Sequence, residues 1–209
     1  MNKPILIKSS KIMSELKSSL FVHFNKERDG IHVSDINLCL RETVFRRINP
    51  QAITDREIGF FTIGRSIHDS IQTLAKSNPK YEIEKEINYD AGGITIKAHI
   101  DLYDSEKNIP IEAKTVRNKT IDEPKSFHVE QLQMYMSLVG ADTGYIIYQL
   151  LLDYNDFPFR VFEVKMTKEE RAKMLEKMID DSFHLQMNID QKTPENTRHI
   201  ANDKEKNWK

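Results

Sequence analysis

The sequence is poor in cysteine, with Cys39 alone among 209 residues. One thiol excludes a disulfide within the chain and a zinc site made only of cysteines. No apolar run approaches the length of about 18 residues that a transmembrane helix needs. The apolar stretch in residues 1–7 is too short for a signal peptide. We therefore expect a cytoplasmic protein without a membrane partner.

An excess of charge of either sign is also absent, because the net charge is -1 although 30% of the residues are charged. Composition therefore does not indicate a nucleic-acid-binding protein, and any such surface has to be a local patch. Hydrophobic residues make up 39% of the chain, which is enough for a core. The length fits one domain, and the sequence contains no internal repeat.

Apolar spacing predicts three helices in the first 80 residues. The first covers residues 9–24. The second covers roughly 34–48, opened by Ser34 and Asp35 and closed by Asn49-Pro50. The third runs from near Phe61 to about residue 77, with isoleucines at 63, 67 and 71 along its buried side.

Alternating patterns then predict a three-stranded antiparallel meander at 81–89, 94–103 and 109–116. Even-numbered positions 94 to 102 are apolar, so we expect them all on one face of the second strand. A loop at 105–108 pairs Asp104 with Ile109, and so Asp101 with Glu112. Directly opposed residues have Cβ atoms about 4.5–5.5 Å apart, so these two carboxylates can share one cation.

The remaining pattern predicts a helix at 127–139, strands at 144–152 and 159–165, and a final helix opened by a capping box from Thr167 to Glu170. We expect a single domain with a core at about 60–152. The predicted N-terminal helical part is 9–60, the C-terminal strand and helix are 157–189, and a polar tail is 190–209. The predicted fold class is α/β: helix, three-stranded meander, helix, strand.

Two carboxylates and a lysine on neighbouring strands are typical of a metal-dependent phosphodiesterase. A hard divalent cation relieves the repulsion between Asp101 and Glu112. Lys114 lies on the same strand face as Glu112 and can orient or deprotonate a water, or neutralise phosphate charge. His68 is a candidate further ligand. The alternative for each is ordinary: solvated strand carboxylates, an exposed Glu–Lys pair and a packed histidine.

The order of these motifs resembles a known family. It comprises Gly64-Arg65-Ser66-Ile67-His68, Ala98-His99-Ile100-Asp101, Ile111-Glu112-Ala113-Lys114-Thr115 and Gln131-Leu132-Gln133-Met134-Tyr135. Together they are similar to the RecB-type nucleases of the PD-(D/E)XK superfamily, especially the CRISPR-associated RecB-like exonucleases and their viral relatives. The segment from Ser34 to Arg41 resembles the N-terminal motif of that group. The resemblance covers roughly residues 32–150.

The resemblance implies a restriction-endonuclease-like core that cuts DNA with Mg²⁺ or Mn²⁺. It assigns His68, Asp101, Glu112 and the Ala113 carbonyl to the metal, and Lys114 to catalysis. It assigns Gln131 and Tyr135 to DNA or to support of the site. Relatives often hold an iron–sulfur cluster on four cysteines; with one cysteine here, no such cluster is expected.

Cationic residues near these motifs are candidates for phosphate contacts, with a solvated charged surface as the alternative. They are Arg41, Arg65, Arg117 and Lys119. Phe60 and Phe61 can stack on bases or pack in the core.

We expect a metal-dependent DNA nuclease, acting on single-stranded DNA or DNA ends, with a homodimer as a possible assembly. Two other functions stay open. One is a DNA-binding protein that does not cut, and the other is an endonuclease for branched DNA. By family analogy such a protein also fits a virus, where it would act in the host cytoplasm.

Overall fold

The computed structural model describes residues 10–24, 29–118, 120–152 and 158–197. The predicted phosphate contact Lys119 and most of the predicted polar tail, from residue 198 onward, lie outside the described residues. Within the described part, no helix is both long enough and apolar enough to cross a membrane.

Six α-helices and six β-strands make up the described chain. They are α1 (Ser10–Phe24), β1 (Ile31–His32), α2 (Val33–Ile36), α3 (Leu40–Ile48), α4 (Asp55–Ala75), β2 (Tyr81–Asp90), β3 (Thr95–Asp104), β4 (Ile109–Val116), α5 (Ser126–Val139), β5 (Thr143–Leu150), β6 (Phe159–Lys165) and α6 (Lys168–Gln191), followed by a 3₁₀ turn at Pro194–Asn196. The predicted order of helix, meander, helix and strand is confirmed, as is the α/β class.

Two predicted N-terminal helices have the wrong bounds. The helix expected at 34–48 is two helices, because Cys39 adopts an extended conformation (φ -63°, ψ 112°) as the N-cap of α3. Helix α4 begins at Asp55 rather than near Phe61. A capping box starts it: Glu57 N–H donates to the Thr54 hydroxyl, and the Glu57 side chain accepts from Thr54 N–H.

Strand β3 has three neighbours in the sheet. β2 pairs with it antiparallel on one edge from Tyr81–Asp104 to Asp90–Thr95, with an interruption at Glu84 and Asp101. The other edge is shared. β1 pairs there in parallel at residues 96 and 97, and β4 pairs antiparallel at 102–104. Residues 98–101 of β3 therefore have no strand partner on that edge, and we call this gap the notch.

The sheet separates two layers of helices. Helix α4 packs through Ile67 and Ile71 on the face that carries Leu102, Ile111 and Ala113. On the opposite face α5 packs through Leu132 and Met136 against alternate residues of β5, with α6 beyond it. Helix α1 contacts α4 from outside.

Half-way along strands β2 and β3, the apolar side chains change from one face of the sheet to the other. The alternating pattern of the sequence did not predict this change. Ile96, Ala98 and Ile100 pack in the cluster with α2, α5 and α6, but Leu102 packs with α4 on the other face. The expectation that positions 94 to 102 share one face is therefore wrong at Leu102. β2 changes face at the same level, since Ile83 and Ile87 also belong to opposite clusters.

The cause is visible in the β2 backbone. Glu84 has φ of 50°, a left-handed conformation that breaks the pleat between Ile83 and Lys85. After the break, Lys85 Nζ lies 3.9 Å from the centre of the Tyr103 ring. The pairing register is the same on both sides of the break, so the two strands rotate together without slipping.

Candidate active site

The notch places Asp101 between two strands that have stopped pairing. The β3–β4 ladder ends at Leu102–Ile111, so the predicted Asp101–Glu112 pair is not part of it. Instead, Asp101 Oδ2 accepts a hydrogen bond of 2.8 Å from the backbone N–H of Ala113. The carboxylate thus takes the place of a backbone carbonyl, and it is held within the sheet plane rather than on a face.

A cavity of about 220 Å³ opens at the notch. His68 of α4 and Gln131 and Tyr135 of α5 all line it, although the two helices lie on opposite faces of the sheet. A continuous sheet would separate these side chains. The gap in pairing is therefore what allows residues from both helical layers to meet around Asp101 and Glu112.

Glu112 is the most deeply buried charged group of the cavity, with 1% of its surface exposed. Lys114, two residues along β4, forms an ion pair with its Oε1. Glu112 Oε2 is buried and has no hydrogen-bond partner. Burial and the neighbouring charge of Asp101 raise the pKa of Glu112 to about 8. An uncompensated buried carboxylate oxygen is costly, so the cavity favours a cation or a proton at this position.

Asp101 and His68 form the second charged pair, with 3.2 Å between His68 Nδ1 and Asp101 Oδ1. Burial opposes ionisation of Asp101, but the hydrogen bond and charge of His68, with help from Lys114 and the Ala113 N–H, keep its pKa below the ordinary value. Burial also works against the charged form of His68, yet Asp101 raises the His68 pKa overall. Asp101 is therefore the carboxylate that is ionised at neutral pH.

Lys114 is nearly buried, and burial by itself favours its neutral form. The charges of Glu112 and Asp101 outweigh that effect and raise its pKa above the ordinary value. Lys114 is therefore an ammonium at neutral pH. It can donate hydrogen bonds and neutralise negative charge, but it is not a proton acceptor.

The donor set suits a hard divalent cation. Mg²⁺ takes one or two protein carboxylates and completes its shell with water and phosphate oxygens, and Asp101 and the unpartnered Glu112 Oε2 offer that chemistry. In this structure the His68 ring is paired with Asp101. Among the described residues, no group of three or more His, Cys, Asp or Glu side chains is arranged so that it could hold a metal ion. Binding would thus exchange the His68–Asp101 contact for two contacts to the ion.

Glu84 also lines the cavity, and sequence reasoning missed it. It falls between the pairs Ile83–Leu102 and Lys85–Ile100, so it lies across from Asp101. Its Oε1 accepts a hydrogen bond of 2.6 Å from Gln72 Nε2 on α4. A glutamate in a regular alternating strand carries no sign of a left-handed backbone, so the pattern contained no usable signal.

The predicted polar pair of α5 is present at the cavity wall. Gln131 Nε2 donates a hydrogen bond of 2.7 Å to the Tyr135 hydroxyl. Burial, with the charge of Glu112, raises the pKa of Tyr135 well above its ordinary value, so the phenol stays protonated.

The arginines predicted to contact phosphates lie at different distances from the site. Arg65 lines the cavity. Its Nε lies 3.0 Å from Asp69 Oδ1, and its Nη1 lies 3.7 Å from Glu84 Oε1. Arg117 lies outside the cavity against Phe60, where its Cζ is 4.2 Å from the ring centre. Arg41 does not reach the site; it donates to the Glu195 and Thr197 carbonyls.

Known proteins were compared with the chain in sequence and in structure. No protein-family model matches it. The chain is 27% identical over 181 residues to the CRISPR-associated exonuclease Cas4 of Saccharolobus solfataricus, a match that covers 82% of this chain and 86% of that protein. The crystal structure of SSO0001 is similar with a TM-score of 0.63 and 26% identity, over 86% of this chain and 89% of that one. The resemblance of the motifs to RecB-like nucleases is thereby confirmed.

More distant solved structures show the same fold. The alkaline exonuclease LHK-Exo from Laribacter hongkongensis has a TM-score of 0.54 at 13% identity, over 83% of this chain and 95% of that chain. A phage-related exonuclease from Haemophilus somnus 129PT has a TM-score of 0.55 at 13% identity, over 81% and 97%. The restriction-endonuclease-like core expected for a RecB-like relative is thereby confirmed.

Proposed function

We propose that the protein is a divalent-metal-dependent DNA nuclease that hydrolyses phosphodiester bonds, acting on single-stranded DNA or DNA ends. One observation carries the proposal. Glu112 is 1% exposed and keeps an unpartnered carboxylate oxygen beside Asp101 and Lys114, in a cavity open to solvent. A purely structural glutamate would have that oxygen satisfied. The likeness to an exonuclease supports the choice of substrate.

Asp101, Glu112 and the carbonyl of Ala113 would hold Mg²⁺ or Mn²⁺, with His68 as a further ligand. A cation bound there polarises the phosphate and lowers the pKa of a water molecule. Asp101 Oδ2 is held by the Ala113 N–H, so Oδ1, which pairs with His68 in this structure, is the oxygen that would turn to a cation.

Lys114 has the role of a donor. Its raised pKa keeps it an ammonium, so it can orient the attacking water or stabilise charge on the phosphate oxygens. Gln131 holds the Tyr135 hydroxyl, and the pair closes the α5 side of the cavity. Arg65, at the α4 side, offers a guanidinium for a neighbouring phosphate.

The first prediction concerns cleavage itself. Asp101→Asn, Glu112→Gln and Lys114→Met should each lower cleavage by at least about a hundredfold. The first two remove a carboxylate that would hold the cation, and the third removes the positive charge that would act on the phosphate. The assay uses end-labelled linear single strands, linear duplex and circular single strands with Mn²⁺, Mg²⁺ or EDTA.

Glu86→Gln is the matched control, because Glu86 is an exposed glutamate of β2 that does not line the cavity. Normal cleavage by all three site variants would contradict the assignment. Cutting of the circle would mean endonuclease action. If the wild type binds DNA but cuts nothing with either metal, the protein is a non-cleaving DNA-binding protein.

A further inference from the structure

A second depression joins the candidate active site on the side of α4 and the β4–α5 loop. It has a volume of about 480 Å³, and we call it the side groove. His68 and Lys114 line both the side groove and the cavity at the notch, so the two are continuous. Phe60 and Ile63 of α4 line its apolar part, and Lys125 lies on the loop side.

The side groove has a different charge from the cavity it joins. The cavity has mixed charge, since Glu84, Asp101 and Glu112 line it together with Arg65, Lys97 and Lys114. The described residues of the side groove include Lys114, Arg117 and Lys125, and none of them is Asp or Glu. An anionic ligand therefore fits the side groove, while the cavity suits a cation.

The apolar part offers a flat surface. Phe60 is 37% exposed, and the guanidinium carbons of Arg117 and Arg56 lie 4.2 Å and 5.5 Å from its ring centre. Ile63, one turn along α4, is 43% exposed. Aromatic rings and guanidinium planes are the surfaces on which unpaired bases stack, with little dependence on sequence.

Gly64 keeps this space open. It lines the side groove, and a Cβ placed on it would meet no heavy atom within 4 Å. Glycine in the middle of a helix is less favourable than alanine, and nothing packs closely against Gly64. The position therefore leaves space in the side groove that a larger side chain would fill.

We infer that the side groove holds one unpaired nucleotide next to the scissile phosphate, with its base against Phe60 and Arg117 and its phosphates near Lys114 and Lys125. The inference rests on the proposed nuclease function in one respect, namely that the bound nucleotide lies next to a scissile phosphate. A base inside a duplex has both faces covered by its neighbours, so only a single-stranded stretch can use this surface. The substrate is then single-stranded at this position.

Two pairs of variants test the inference by binding, in EDTA so that nothing is cut. The probes are a short labelled single strand and a duplex of the same sequence. Gly64→Leu fills the side groove, whereas Gly59→Leu adds the same side chain to the same helix where a Cβ also meets nothing. Phe60→Ala removes the stacking ring, and Phe61→Ala removes the neighbouring exposed ring, which does not line the side groove.

Gly64→Leu and Phe60→Ala should weaken single-strand binding about tenfold, in line with alanine substitutions of stacking residues. The two controls should bind like the wild type, and duplex affinity should change less than single-strand affinity. Thermal unfolding of Gly64→Leu should show no loss of stability, which separates a filled groove from a damaged fold.

Salt dependence separates stacking from charge. Phe60→Ala should leave the slope of log K against log salt unchanged, whereas Lys125→Ala should reduce it by about 0.7 for each lost phosphate contact on a single strand. Equal slopes for all variants would contradict the phosphate contacts.

Wild-type affinity of Gly64→Leu and Phe60→Ala for the single strand would overturn the inference. So would an equal loss on duplex, which would make the side groove a duplex site. Neither result touches the proposed nuclease, which depends on Glu112. Conversely, selective loss of single-strand binding in a protein that cuts nothing would support the side groove and refute the nuclease.

Discussion

Glu84 is the residue on which the geometry of the site depends, although it is not among the proposed catalytic groups. Its left-handed backbone turns β2 and β3 over together. Asp101 lies across from it at the turning point, and there its side chain points along the sheet toward β4 rather than onto a face. The left-handed residue and the position of the proposed metal ligand Asp101 therefore belong to one structural feature.

Backbone strain at Glu84 can be measured with a pair of substitutions. Glu84→Gly and Glu84→Ala both lose the carboxylate, but only glycine adopts φ of 50° without steric strain. We expect Glu84→Gly to be more stable than Glu84→Ala by about 1 kcal/mol, measured by urea unfolding. Greater stability of the alanine variant would mean that β2 straightens without loss.

Glu112 gives a pH prediction for the metal-free protein. Its folded pKa of about 8 exceeds the ordinary value of 4.5, so the folded state holds the proton more tightly than the unfolded state does. Stability from this group is fully present below about pH 4.5 and declines as pH rises to about 8.

The melting temperature of Glu112→Gln, measured in EDTA, should therefore rise relative to the wild type between pH 5 and pH 8, because glutamine does not titrate. Comparing the change with pH cancels any constant effect of losing the Lys114 ion pair. A difference that does not vary with pH would refute the shifted pKa.

Much of the site could be predicted from the alternation of side chains along a β-strand, which repeats every two residues. Glu112 and Lys114 are two apart on one strand, so they share a face, and the loop length fixed the pairing of Leu102 with Ile111. The place of Asp101 beyond the last pair did not follow. The ladder ends because the strands diverge at the notch, and alternation within each strand contains no information about that separation.

At the scale of elements, a tyrosine of β5 holds the end of the loop between β4 and α5 by hydrogen bonds. The hydroxyl of Tyr148, a fully buried residue paired with Lys114 in the β4–β5 ladder, accepts a 3.0 Å hydrogen bond from the Lys125 N–H. It also lies 2.7 Å from His128 Nδ1. One phenol thus ties the N-terminus of α5 to the strand next to the proposed catalytic lysine.

Tyr148→Phe should lower the free energy of unfolding by about 1–3 kcal/mol, because it removes the hydroxyl that bonds the Lys125 N–H and His128 Nδ1. Tyr145→Phe is the matched control on the same strand, since its hydroxyl meets Glu163 at 3.3 Å near the surface. The control should stay within about 0.5 kcal/mol of the wild type. Equal effects of the two substitutions in chemical denaturation would contradict the anchor.

The start of α4 could have been predicted from the sequence, whereas the start of α3 could not. The Thr54-x-x-Glu57 capping box is present in the sequence and marks the start of α4, but apolar spacing alone suggested a later start. The break at Cys39 was not predictable in the same way. No glycine or proline stands there, and the tertiary position of α3 against α6 and the 3₁₀ turn sets the angle.

At the scale of the whole molecule, metal binding should act on stability as well as on cleavage. The proposed ligands come from α4, β3 and β4, so a bound ion joins three elements. Mn²⁺ or Mg²⁺ at about 100 times its dissociation constant should stabilise the fold by about 2.7 kcal/mol. The measurement is thermal unfolding with and without metal.

Glu112→Gln and Asp101→Asn should lose this gain, whereas Glu86→Gln should keep it. A metal-induced rise of similar size in all variants would place the ion elsewhere. This readout does not require cleavage, so it tests the metal site independently of the substrate.

Topology was predictable only where neighbouring elements are close in sequence. The meander of β2, β3 and β4 followed from two short turns. Strand β1 did not, because it has two residues and pairs in parallel with residues 96 and 97, far along the chain. Without β1, the notch between it and β4 has no second side, and the cavity was therefore not foreseeable.

The notch has a consequence for how this protein can change over generations. In most sheet proteins the strands insulate the helices of one layer from those of the other, so each layer can accumulate substitutions independently. Here His68 and Tyr135 line one cavity at an opening in the sheet. A substitution that changes size or charge at His68 on α4 changes the surroundings of Tyr135 on α5, so we expect these two positions to tolerate substitution jointly rather than separately.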